Sequence, residues 1–228
     1  MFLERSKPAS LTRAAGAATT VLAVLLAATR DARAQTRWSV QLFGGSAYSF
    51  HTPLTIHQTG EPEIRLTAHY STRPWSGARY YAYRFGRWSR GGAWELEMVH
   101  HKVYLDNPPP EVQHFEVSHG YNLVFLNRAL RRYGFIFRLG AGVVIGRPES
   151  VIRNLRRSED RGLFHAGYYF TGPSGQLAVE RRFRLWRGLF ASAEGKFSAA
   201  RAHVSVPGGQ AMVPNVAIHG LLGLGYTF

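Results

Sequence analysis

From Trp38 to the last residue, apolar and polar positions alternate in runs of roughly ten, and glycine, proline and charged residues separate the runs. Neighbouring side chains of an extended strand point to opposite faces, so each run predicts a strand with one apolar and one polar side. Eight such strands are expected, at 38–50, 79–87, 93–104, 113–126, 133–145, 175–185, 189–200 and 215–228. In the first, Trp38, Val40 and Leu42 oppose Ser39 and Gln41; in the second, Tyr81, Tyr83 and Phe85 share a face. In the third, Trp94, Leu96 and Met98 oppose Glu95 and Glu97, and in the fourth Phe115, Val117, Tyr121, Leu123 and Phe125 oppose Glu116, Ser118 and Asn122. The fifth places Phe135, Phe137, Leu139, Ala141 and Val143 against Arg138 and glycines, and the last puts Val216, Ile218, Leu222, Leu224, Tyr226 and Phe228 on one side. No amphipathic helix interrupts the series.

The connections after the second, fourth and sixth strands are short, and those after the first, third, fifth and seventh are mostly longer. Bacterial membrane barrels show this parity, with short turns in the periplasm and long loops outside. The pattern therefore predicts an all-β fold: a closed antiparallel up-and-down transmembrane β-barrel of about eight strands. The longest connection, 51–78, carries alternating segments of its own at 54–57 and 64–70, which either rise above the membrane as a hairpin or bring the count to ten.

The first 34 residues change the picture from sheet protein to exported sheet protein. A basic start with Arg5, Lys7 and Arg13 leads into an uncharged run of 15 residues, 14–28, and Ala32-Arg33-Ala34 provides the small-x-small pattern of a cleavage site. A spanning helix needs about 20 apolar residues, so the segment reads as a signal peptide (1–34) ahead of a barrel domain (35–228). The chain has no cysteine, which removes disulfides as a source of stability outside the cytoplasm. It carries 28 basic against 14 acidic side chains; the leader holds five basic and two acidic ones, leaving the remainder at +11. For an exported chain this excludes nucleic acid as a partner and favours the phosphates of lipopolysaccharide.

With apolar faces turned to lipid, the opposite faces of so small a barrel fill its interior. The expected lumen set is Glu95, Glu97, Glu116, Arg138, Glu180, Arg182, Glu194, Lys196 and His219, with both signs present so that charges can pair. His100 and His101 are strand neighbours on opposite faces, so they do not share a metal; no metal or cofactor is expected. The basic run containing Arg147, Arg153, Arg156, Arg157 and Arg161 falls in a long, outward connection, where guanidinium forks suit lipopolysaccharide head groups.

The ending Gly223-Leu224-Gly225-Tyr226-Thr227-Phe228, together with the strand series, resembles the small eight-stranded bacterial outer-membrane barrels of OmpA/OmpX-like architecture. The resemblance implies residence in a Gram-negative cell envelope, contact with outer-membrane lipid, and recognition of Leu222, Leu224, Tyr226 and Phe228 by the barrel insertion machinery. A second, local likeness is His203-Val204-Ser205, which is similar to the His-x-Ser element of outer-membrane lipid A deacylases. In that family the histidine activates the serine for attack on a lipid ester, and a glutamate on the final strand orients the histidine. Here Ala217, Ile218 and His219 occupy the corresponding stretch, so the orienting carboxylate is missing. The expected function is a non-enzymatic outer-membrane barrel acting in envelope structure or through its extracellular loops. The alternatives are a lipid A-modifying esterase using His203 and Ser205, and a soluble periplasmic barrel that binds an apolar ligand.

Overall fold

The computed structural model describes residues 36–77, 79–157, 162–163 and 167–228, with the side chains of Ser118 and His119 left aside. The expected signal peptide and Arg161 lie outside the described residues. Thirteen strands are formed: β1 Arg37–Ser49, β2 Thr52–Gln58, β3 Ile64–Ala68, β4 Tyr70–Ser71, β5 Tyr81–Ser89, β6 Gly92–Leu105, β7 Val112–Arg132, β8 Phe135–Gly146, β9 Glu149–Ile152, β10 Leu155–Arg157, β11 Tyr169–Trp186, β12 Leu189–Val206 and β13 Gly209–Thr227. Eight of them, β1, β5, β6, β7, β8, β11, β12 and β13, pair antiparallel with the next in turn, and β13 pairs with β1 from Thr227↔Ser39 to Ala217↔Ser49. The ring is closed, so within it no strand has an open edge.

The segment 51–78 does not add strands to this ring. β2 pairs with β3 and with the far end of β13 (Gly209–Met212), and β4 pairs with the far end of β6, so all three stand beyond the ring on one side. The count of eight therefore holds and the ten-strand alternative does not.

Local chemistry explains the tight turns. Between β7 and β8 only Tyr133 and Gly134 remain, both at positive φ (51° and 77°), which is the geometry that matches strand twist in a two-residue hairpin. At the other end, Pro207-Gly208 joins β12 to β13 with Gly208 at φ 68°, Pro presetting its own φ and Gly taking the left-handed position. This last hairpin corrects the expectation of a long connection after Ala200: β12 runs on to Val206 and β13 begins at Gly209. With 18 and 19 residues, these strands are about twice the 9–11 that cross a bilayer, so their far halves project beyond it.

Exposure along the ring is the inverse of a soluble sheet protein. Each ring strand presents an exposed apolar residue outward, among them Leu42, Phe85, Leu96, Leu126, Phe137, Leu177, Phe197 and Leu222, the last 71% exposed. Aromatics gather at the short-turn rim (Trp38, Trp94, Phe135, Trp186, Phe228) and again higher up (Tyr48, Phe50, Tyr83, Phe170). A continuous apolar belt between two aromatic girdles, around a charged interior, is the surface of a barrel solvated by lipid.

Candidate functional site: a charge-balanced lumen

Inward positions near the short-turn end come from Gln41 (β1), Arg84 (β5), Glu95 and Glu97 (β6), Asn127 (β7), Arg138 (β8), Gln176, Glu180 and Arg182 (β11), and Ser192, Glu194 and Lys196 (β12). Strand parity brings them to one level. Arg84 is at the centre: its Nη2 donates to Glu97 Oε1 (2.7 Å) and to Glu194 Oε1 (2.7 Å), while Glu180 and Glu95 stand 3.6 and 3.8 Å away. Arg138 donates through Nε to Glu95 (2.5 Å), through Nη1 to Glu194 (2.9 Å) and through Nη2 to Glu180. Lys196 donates to Glu97, and Arg182 donates to Glu180 (2.9 Å) and to Gln41 Oε1 (2.7 Å). Neutral amides complete the shell: Asn127 and Gln176 each donate to Glu97 Oε2 at 2.7 Å, and Gln41 donates to Glu180 at 2.6 Å.

Four carboxylates thus meet four cations. An unpaired charge sealed from water would cost several kcal/mol, which makes the balance a condition for folding and not an ornament. Seven of the nine residues expected in the lumen lie in this network: Glu95, Glu97, Arg138, Glu180, Arg182, Glu194 and Lys196. His219 is also inside, one level higher. Glu116 is the exception: it sits on the far extension of β7, beside His114 (3.4 Å), with Phe115 and Val117 buried on the other face. Arg84 was absent from the expected set, and its absence left that set with five carboxylates against three permanent cations. That imbalance, and the position of Arg84 between outward Tyr83 and Phe85, were the signals for it.

The expected outward face of the fourth strand is reversed. Tyr121, Leu123 and Phe125 are buried inside, while Leu126 and Leu130 face out. The physical reason lies above the ion network. There the lumen holds a layer of uncharged hydrogen bonds, in which His219 joins Tyr80 through Nδ1 and Ser198 through Nε2 (2.6 Å). His101 Nε2 meets Asn215 Oδ1 (3.1 Å), whose amide donates to Ser49 (3.0 Å). Beyond it comes an apolar plug that includes Tyr121, Val103, Val117, Val204, Val213, Leu54 and Ile56. An interior of this kind accepts large apolar side chains, so apolarity alone did not mark the lipid face of β7. The lower mouth is closed by Trp88 and Phe190, with the Arg182 guanidinium 4.9 and 4.4 Å from their ring centres. Gly225 makes room for this floor, since a Cβ there would run into the Phe190 ring.

The other sequence candidates lie elsewhere. His203 and Ser205 both point outward from the far half of β12, and among the described residues neither is hydrogen-bonded through its side chain. The strand beside them supplies Met212 and Gln210 as register partners, with no carboxylate. Arg153 is not free for head groups: it donates to Gln58 Oε1 and to the Pro62 carbonyl (2.8 Å), tying the β9–β10 hairpin to β2–β3. Arg156 is exposed, and Arg147 and Arg157 are half-buried. Leu222, Leu224, Tyr226 and Phe228 share the outward face of β13 and its end. His100 stacks on Tyr81 outside the lumen (4.8 Å) while His101 faces in, as their adjacency requires. Among the described residues no group of three His, Cys, Asp or Glu is placed to hold a metal ion.

No protein-family model matches the chain, and no curated protein matches it. Two solved structures are similar in fold. The crystal structure of Neisserial surface protein A (NspA) is 6% identical, covers 85% of this chain and 97% of its own, and has a TM-score of 0.40. The solid-state NMR structure of the outer membrane protein AlkL in DMPC lipid bilayers is 12% identical, covers 99% and 97%, and has a TM-score of 0.45. Neither likeness bears on what the chain does. The closed up-and-down ring, its lipid belt and its two unequal ends are the architecture of a bacterial outer-membrane barrel.

Proposed function

We propose that this outer-membrane barrel is a non-enzymatic envelope protein that acts through its tall end, presented outside the cell, and not through its lumen. The observation that carries the reading is the filling of the lumen at every level: an aromatic floor, a neutral ion network, a hydrogen-bonded layer and an apolar plug. A solute path would need the paired charges to separate in a low dielectric, at several kcal/mol for each ion left alone. An apolar ligand, as in a soluble periplasmic barrel, would find ion pairs where it needs an apolar cavity. The tall end, by contrast, is built from ordered strands. The β2–β3 hairpin is seated on β13, and Arg153 fastens β9–β10 to it.

The test is reconstitution of the refolded protein in planar bilayers, in parallel with incubation on lipid A and mass spectrometry of released fatty acid. The expected result is neither conductance steps nor release. Stable ion conductance would overturn the sealed-lumen reading. Fatty-acid release lost in both H203A and S205A would instead establish the esterase.

A further inference from the structure

The two ends of the barrel differ in charge as well as height. Exposed acidic side chains such as Glu61, Asp106 and Glu111 stand at the tall end. Around the short turns the sequence has no aspartate or glutamate in 86–94, 127–136 or 181–190, except those facing the lumen just beyond. It has arginines instead: Arg87 and Arg90 at the first turn, Arg131 and Arg132 before the second, Arg184 and Arg187 at the third, all exposed. Among the described residues none of these forms an ion pair. All but three of the 28 basic residues in the chain are arginine, so the rim is built from planar forks and not from point charges.

Their setting is amphipathic. Guanidinium carbons lie over aromatic rings at this end, Arg87 over Trp38 (5.7 Å) and Arg187 over Trp186 (4.8 Å) in the lower girdle and Arg131 over Trp88 (5.1 Å) at the lumen floor. Stacking of this kind lays the apolar stem along the ring and leaves the N–H edges pointing away from it. Between the first turn and the end of β7 lies a cleft of about 460 Å³, lined by Arg90, Arg131, Arg132, Ser89, Trp88 and Leu130. Leu130 belongs to the lipid-facing surface and the arginines to the rim, so one wall of the cleft is apolar and the other cationic.

We infer that this rim is a binding surface for anionic glycerophospholipid in the periplasmic leaflet, with the cleft as its best-formed seat: phosphate against the arginine forks, acyl chain along Leu130. The inference rests on the membrane reading with the short turns on the periplasmic side. Phosphate is favoured because it accepts two parallel N–H bonds from one guanidinium. The depth is right because the arginines share a level with the aromatics that mark the interface.

The experiment uses the full barrel refolded into phosphatidylcholine vesicles containing spin-labelled phosphatidylglycerol or spin-labelled phosphatidylcholine, with the motionally restricted lipid fraction read by electron paramagnetic resonance. One basic residue near an anionic surface corresponds to about a fivefold preference. Phosphatidylglycerol should therefore exceed phosphatidylcholine about fivefold at the barrel, and the preference should fall with added salt. The R90Q/R131Q/R132Q variant should bring it towards unity. R147Q/R156Q, at the tall end, should leave it unchanged. Heat-modifiable gel migration establishes that each variant is folded. Equal association of both lipids with wild type, or equal loss in the two variants, overturns the inference. Failure of the wild type to float with vesicles, or to restrict any lipid, would refute the membrane reading itself.

Discussion

Replacing Arg84 with methionine probes the lumen at its centre. Methionine keeps the length and apolar volume of the stem, and the change removes one cation that faces all four carboxylates at 2.7 to 3.8 Å. Glu97 retains Lys196, Asn127 and Gln176, and Glu194 retains Arg138, so hydrogen bonding is only partly lost. The larger loss is neutrality: four carboxylates then face three cations in a closed interior. Breaking a fully buried pair in this way costs about 3–5 kcal/mol, most of it the penalty of the stranded charge. That attribution is separable. Adding Glu194→Gln to Arg84→Met restores the balance at three and three, and the glutamine oxygen still accepts from Arg138. The double variant should recover about 2 kcal/mol relative to the single one, a coupling within the range for residues sharing one network. The assay is urea unfolding of barrels refolded in lipid vesicles, followed by tryptophan fluorescence and by heat-modifiable migration. If the double variant is no more stable than Arg84→Met alone, charge balance is not what the lumen is built on, and the reasoning fails.

Leu139 points into the lipid belt one residue from Arg138, so Leu139→Arg should cost about 2–4 kcal/mol in the same unfolding assay; a harmless result would mean the faces are assigned backwards. A protease site placed at 108–110 should be cleaved on intact cells while one at Ser89 should not, and the opposite pattern would invert the topology. Phe228→Asp should reduce the heat-modifiable outer-membrane form several-fold more than Thr227→Ala, because Phe228 ends the outward face of β13 and sits 60% exposed at the rim; equal yields of the two variants would show that this aromatic is not read during assembly.

The ring was legible in the sequence because its signal is local: period-two alternation fixes the faces of β1, β5, β6, β8 and β13 without knowledge of their neighbours. The same rule misassigned β7. Its Tyr121, Leu123 and Phe125 look like a lipid face, but Tyr121 and Leu123 pack into the apolar interior and Phe125 lies beside the ion network, with Lys196 Nζ 5.8 Å from its ring centre. The plug is a tertiary fact, formed from β2, β6, β12 and β13 together, and no single run of residues announces it. Glu116 was misplaced for a related reason. Glu116 shares the parity of outward Leu126 and Leu130, so the reversal that turns Tyr121, Leu123 and Phe125 inward carries Glu116 to the outer face. Arg84 was recoverable by arithmetic on the expected network. The β2–β3 hairpin was legible in the alternating segments 54–57 and 64–70, but its seat on β13 and its tie through Arg153 were not, because they join residues more than ninety positions apart.

The barrel builds far beyond the membrane although side chains fill its interior. Crossing a bilayer requires about 9–11 residues per strand, yet β7 has 21 and β12 and β13 continue to Val206 and Gly209. Loops that merely connect strands gain nothing from such extension, because each ordered residue loses about 1–2 kcal/mol of backbone entropy. Here the loss is offset by an apolar core that includes Leu54, Ile56, Val103, Ile152, Val204 and Val213, all buried within a portion that lies outside the lipid belt. Ordering is thus completed during folding, before any partner arrives. Under the function proposed above, a surface prepared in that way spends less of its contact energy on immobilising itself, which favours a partner of fixed shape over the adaptable grip of mobile loops. The short-turn end is built differently, from tight two-residue connections and a girdle of aromatics with arginines held on their faces, as the lipid seat proposed above requires.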